Sequence, residues 1–143
     1  MKYDDLLKSG KIRKQRVSGD EIERGIARAE RDLKTARYVM ASDWDWGFAI
    51  AYNAVLQASR AFMFSQGFRP VSHEGHKNTF AFMRVAFGKD YEDLITYFDR
   101  VRNKRNQAMY DIAGMISETE ARNLFKMAVD FVSLVRKMLE EKK

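Results

Sequence analysis

Residues Phe98 to Asp111, FDRVRNKRNQAMYD, place four cations, two asparagines and a tyrosine on what reads as one helix. At about 100° per residue, Leu94, Phe98, Val101, Arg105, Ala108 and Ile112 fall on one stripe, in steps of four and three. That is the apolar seam of a packed helix, and Arg105 sits inside it. Asp99, Arg102, Asn103, Asn106 and Tyr110 fan out along the edge of the seam. A guanidinium on a seam is costly unless fixed acceptors replace its water. Either Asp99 or a carbonyl satisfies Arg105, which then only sets register, or Arg105 lines a cleft with Arg102 and Asn106 and faces an anion.

The same periodicity recurs on both sides of this stretch. Ser18 and Glu21 have capping-box spacing. From there Ile22, Ile26, Ala29, Leu33, Ala36 and Met40 repeat the seam to about Ala41. Ser42 and Asp43 can cap a second long helix starting near Trp44. Between Trp46 and Gln66 its only charge is Arg60, so it is expected to be the central, most buried helix. Tyr52, Gln57 and Arg60 on it need partners, either between helices or at the border of a cleft. Gly67 closes it, with Pro70 beyond. A loop, FRPVSHEGHKN, carries His73 and His76, the two histidines of the chain. A short helix over Asn78 to Phe87 follows, then the arginine helix from about Tyr91 to Ile112. Gly114 ends it. Ser117 and Glu120 open the last helix, whose seam is Ala121, Leu124, Ala128, Phe131, Val135 and Met138. The fold expected is all-α: an up-and-down four-helix bundle with one extra short helix, one domain over 1–143. Residues 3 to 8 read as a short helix, and KIRKQRV (Lys11 to Val17) as an exposed basic arm.

The bulk properties narrow the chemistry. The 143 residues carry a net charge of +6 and a pI of about 9.6. This balance favours a polyanionic partner without establishing one. With no cysteine, disulfides, thiolate metal sites and cysteine nucleophiles are excluded. His73 and His76 flank Glu74, but no third ligand completes a metal site, so no metal or other cofactor is expected. The opening MKYDDLLKSG carries acids and no apolar run, so no signal peptide is expected there. No apolar run is long enough to span a membrane, and a cytoplasmic location is expected.

Several segments together resemble the HEPN-domain proteins of bacteria and archaea. They are LLKSGKIRK (from Leu6), IARAERDLKTARYVM (from Ile26), WDWGFAIAYNAVLQASRAFMFSQGFRP (from Trp44), FDRVRNKRNQAMYD and SETEARNLFKMAVDFVSLV (from Ser117). The resemblance implies a helical bundle, usually a homodimer in which the arginine helices of two protomers meet at a cleft. It also implies a frequent pairing with a minimal nucleotidyltransferase in toxin–antitoxin-like systems. Many members are metal-independent ribonucleases. Their motif is an arginine, a polar residue, a short variable run and a histidine. The arginine holds the scissile phosphate and the histidine moves a proton. Here Arg105 and Asn106 match the first two positions, and Tyr110 stands where the histidine would be. A phenol with a pKa near 10 is a poor base at pH 7. The tyrosine that some toxin members carry two residues further on is replaced by Ile112.

Three functions follow as expectations. The first is a binding module that holds RNA phosphate or a nucleotide through Arg102, Asn103, Arg105 and Asn106, with a degenerate nuclease motif. The second is an active endoribonuclease in which Tyr110, His73 or His76 supplies the acid–base group beside Arg105. The third is a structural dimer in which Arg105 and Asp99 only specify the interface.

Overall fold

The computed structural model describes residues 1–110 and 114–141, with the backbone alone at 109 and 110. Its elements are α1 (Asp4–Lys8), β1 (Ile12–Lys14), α2 (Gly19–Val39), α3 (Trp44–Ser65), β2 (Phe68–Pro70), α4 (Gly75–Phe87), a 3-10 turn (Lys89–Tyr91), α5 (Glu92–Tyr110) and α6 (Glu118–Glu141). The architecture is a helical bundle, as the seams predict.

The caps set the helix starts. The Ser18 hydroxyl accepts from the Glu21 amide at 3.2 Å, and the Asp43 carboxylate accepts from the Trp46 amide at 3.0 Å. Ser117 and Glu120 form a reciprocal box. Each side chain accepts from the other's backbone N–H at 3.1 Å, which satisfies two free donors of α6.

Helix α3 is the hub, and α2, α4, α5 and α6 all pack on it. Ala51, Ala54, Ala58 and Ala61 are buried along it. These small side chains let α2 approach closely. A Cβ added at Gly25 of α2 would lie 3.4 Å from the Ala61 Cβ. At the other end Gly47 is pressed against Met40, and a Cβ there would collide with the Met40 side chain. Phe98 of α5 and Phe131 of α6 meet edge to face, with centroids 5.1 Å apart, which closes the core on the far side. Arg136 joins α6 to α2 with bonds of 2.7 and 3.1 Å to Glu30 and 2.7 Å to Glu23.

Two expectations need correction. The basic segment after α1 is not a free arm. Ile12–Lys14 pairs antiparallel with Phe68–Pro70, in the register Ile12↔Pro70, Arg13↔Arg69 and Lys14↔Phe68. Ile12 is buried, and Arg13 and Lys14 stay exposed. Tyr3 stacks on Phe82 at 4.5 Å and meets Phe68 edge-on at 5.1 Å, so apolar contacts pin the N-terminal segment to α4 and β2. The second correction concerns α4, which begins at Gly75 and not at Asn78. Glu74 turns the chain in the left-handed region at φ 55°. The Asn78 amide then donates back to the His73 and Val71 carbonyls at 2.8 and 3.3 Å. His76 therefore stands on the first turn of a helix and not in a loop.

No described helix is long and apolar enough to cross a membrane.

Candidate anion-binding site

The site begins with a tyrosine on the most apolar helix. Tyr52 of α3 is 1% exposed. A buried phenol seeks a hydrogen-bond partner, and the Tyr52 hydroxyl finds Nδ1 of His76 at 3.0 Å. Helix α5 crosses the same place. The Arg105 guanidinium carbon lies 5.8 Å from the centre of the Tyr52 ring, within cation–π range.

Arg105 keeps its place in the seam between buried Val101 and Ala108. Its Nη1 donates to the Asn106 side-chain oxygen at 3.2 Å. Its Nε is buried and has no hydrogen-bond partner among the described residues. The same holds for Nε of Arg60 on α3. The other end of the Arg60 guanidinium lies beside the start of α4, where a Cβ added at Gly75 would come within 3.4 Å of Nη2.

Asp99 was one acceptor open to Arg105, but it pairs with Arg102, whose Nε donates to it at 2.9 Å. The ion pair therefore belongs to the edge of the seam, and Arg105 is left facing Tyr52.

The titration behaviour follows from this crowding. Burial first, and then the nearby Arg60, Arg105 and Arg102 guanidiniums, lower the His76 imidazole to about 4. The ring is neutral at pH 7. Burial raises the Tyr52 phenol well above its ordinary range, against the pull of Arg102, Arg105 and Arg60, so it stays protonated. Arg60 is lowered, first by burial and also by Arg69. A neutral ring among three guanidiniums, with one carboxylate already bonded to Arg102, leaves this place with a net positive charge.

The residues singled out from the sequence divide as follows. Arg102, Arg105 and Asn106 lie together on α5. Asn103 is exposed on the same helix. Tyr110 is the last residue of α5, and its side chain lies outside the described residues, as does Ile112. His73 is exposed, and the contact it supplies is its backbone carbonyl, to Asn78. His76 is the histidine brought to the arginines. Tyr52 and Arg60 stood out in the sequence only as polar residues in need of partners. Nothing in the sequence singled out Arg69. Among the described residues, no group of three or more histidines and carboxylates is disposed to hold a metal ion.

No curated protein matches the sequence. The HEPN domain model matches residues 22–138, a span that contains Tyr52, His76 and the arginine helix. The match covers most of the chain, which therefore belongs to the HEPN-domain family.

Proposed function

We propose that this HEPN domain binds a phosphate group of RNA or of a nucleotide at Arg105, beside Tyr52 and His76, and that it binds without cleaving. The observation that carries this reading is the pair of buried, unpartnered Nε donors of Arg60 and Arg105. A buried charged donor left unsatisfied costs several kcal/mol, on the order of 1–3 for the hydrogen bond alone. An anion that accepts from it recovers that cost.

The tautomer of His76 separates binding from catalysis. When the Tyr52 hydroxyl donates to Nδ1, Nε2 carries the proton and serves as a donor to an oxyanion. In that form the ring cannot take a proton from a ribose hydroxyl. The depressed basicity of His76 at about 4 also sets it far from the near-neutral value that suits proton transfer at pH 7. Arg105 alone can orient a phosphate, but the step still lacks its base.

The second reading is a metal-independent endoribonuclease. It is favoured by the neutrality of His76 next to Arg105. In the opposite tautomer Nδ1 donates to the Tyr52 oxygen and Nε2 offers its lone pair. Tyr110, in the motif position, is the other acid–base candidate.

The family resemblance supports the rest of the assignment. We propose a homodimer that acts as the helical partner of a minimal nucleotidyltransferase. The test of the binding site is fluorescence anisotropy with a labelled single-stranded RNA in EDTA, using wild type, Arg105→Ala and Arg102→Ala. Loss of affinity in Arg105→Ala, about ten- to a hundredfold for one charged hydrogen-bonding group, is expected. Equal affinity in wild type and Arg105→Ala would refute the assignment.

A further inference from the structure

Beside the Arg105 cluster is an open cleft of about 580 Å³, within the usual size range for ligand sites. His76 and Arg60 belong to both places. They border the cleft together with Arg69, Phe64, Gln15 and Glu21. The β1–β2 ribbon forms one wall, and its register sets Arg13 directly opposite Arg69. Residues paired across an antiparallel ladder point to the same face, so two like charges stand side by side, which is destabilising. Neither arginine has an ion pair among the described residues. Gln15 shares the face of Arg13, two residues on along the strand direction, and it borders the cleft. Glu21 is the one carboxylate on the rim, and it is turned to the α2 cap, 3.5 Å from the Ser18 hydroxyl.

The charges connect the two places. Arg69 acts on Arg60, and Arg60 acts on His76. Arg105 also acts on His76. Along α3, Tyr52 and Arg60 are eight residues apart, a rise of about 12 Å. A cationic track thus runs from α5 over the start of α4 to the ribbon, and it is longer than one phosphate group. Phe64, half-buried on α3, gives the cleft an aromatic surface of the kind on which an unpaired base stacks.

We propose that this cleft is a second phosphate subsite, in which Arg60, Arg69 and Arg13 hold a phosphate of single-stranded RNA next along the strand from the one held at Arg105. The inference rests on the RNA-phosphate reading of the Arg105 cluster and narrows it. The ligand is a polynucleotide strand and not a lone mononucleotide. A bound strand also neutralises the opposed Arg13 and Arg69, giving the ribbon a reason to keep them.

The test compares a labelled ten-nucleotide oligouridylate with the dinucleotide UpU as competitor, across a salt series in EDTA. The proteins are wild type, Arg105→Ala, the double variant Arg13→Ala/Arg69→Ala, and a charge-matched control, Lys126→Ala/Lys137→Ala, on exposed positions of α6. The double variant is expected to weaken decamer binding at least tenfold and leave UpU unchanged. Its salt slope should be shallower by about 0.7, the value for one lost phosphate contact on a single strand. Removing two opposed like charges should not lower the melting temperature, and Arg13→Gln/Arg69→Gln repeats the test with the side-chain length largely kept. If both double variants bind the decamer as the control does while Arg105→Ala does not, the second subsite is refuted and the Arg105 site stands. If wild type binds neither ligand, both assignments fall.

Discussion

The Tyr52 hydroxyl and Nδ1 of His76 lie 3.0 Å apart, joining the middle of α3 to the first turn of α4. The bond makes the position of His76 depend on a residue of the core. Tyr52→Phe removes the hydroxyl and leaves the packing of the ring. The expected cost is about 1 kcal/mol, for one hydrogen bond lost between partly buried groups. Urea unfolding measures it. RNA affinity should fall with it, because the ring of His76 is no longer held in one tautomer. Unchanged stability and affinity would mean that the bond orients nothing.

The pH dependence of stability follows from His76. Its basicity is lowered to about 4 in the folded protein, against about 6.5 in an unfolded chain. Between those values the unfolded state binds more protons than the folded one, so stability falls as the pH drops from about 6.5 towards 4. Urea midpoints at pH 7, 6 and 5 should decline in wild type and decline less in His76→Gln. An identical decline in both would show that other groups dominate this window.

Bound RNA should reverse the effect at the same ring. A phosphodiester keeps its single charge over this range. Its oxygens oppose the influence of Arg60 from α3 and of Arg102 and Arg105 from α5, so it favours the imidazolium. Affinity for RNA should therefore rise as the pH falls from 7 to 5, at fixed salt. His76→Gln should flatten that rise. A flat profile in wild type would place the anion out of reach of His76.

Asp45 ties down the chain beyond α5. Its carboxylate accepts from the Gly114 N–H at 2.6 Å and from the Ile116 N–H at 3.1 Å. Asp45→Ala leaves both amides without this partner, at a cost of about 1–3 kcal/mol. Hydrogen exchange at Gly114 and Ile116 should quicken ahead of exchange in α3. Exchange that speeds up uniformly would mean that Asp45 stabilises the whole bundle and not this connection.

Gly47→Ala tests the close approach of α3 to the end of α2. The added methyl meets the Met40 side chain, and overpacking of this kind costs about 1–3 kcal/mol. Met40→Ala in the same background should recover part of the loss. No loss on Gly47→Ala would mean that Met40 moves aside freely.

Much of the fold was legible because the long helices carry their signal locally. The seams through Ile26, Leu33, Phe98, Ala108, Leu124 and Phe131 name the buried faces of α2, α5 and α6. The near absence of charge in α3 marks it as the hub. The ribbon was not legible, because three-residue strands show no period and their pairing is non-local. The start of α4 was misplaced because Glu74 enters it in a left-handed turn, with no side-chain cap. The candidate site was half legible. Arg105 stands out as a cation on an apolar seam, and Arg60 as the one charge on the central helix. Their meeting around Tyr52 and His76 depends on how α3, α4 and α5 cross, which no spacing along the chain encodes. Within α5 itself Asp99 pairs with Arg102, three residues on, which weakens the purely structural reading of Arg105.

The most direct test is to incubate the purified protein with mixed single-stranded RNA in EDTA, beside Arg105→Ala, His76→Gln and Tyr110→Phe. Each sample is assayed both for bound RNA and for the chemistry of the RNA ends. Binding of intact RNA by wild type, lost in Arg105→Ala, is the predicted result. Cleavage to 2′,3′-cyclic phosphate ends, abolished in Arg105→Ala, would contradict it and establish a working ribonuclease. The His76→Gln and Tyr110→Phe samples would then identify the group that moves the proton.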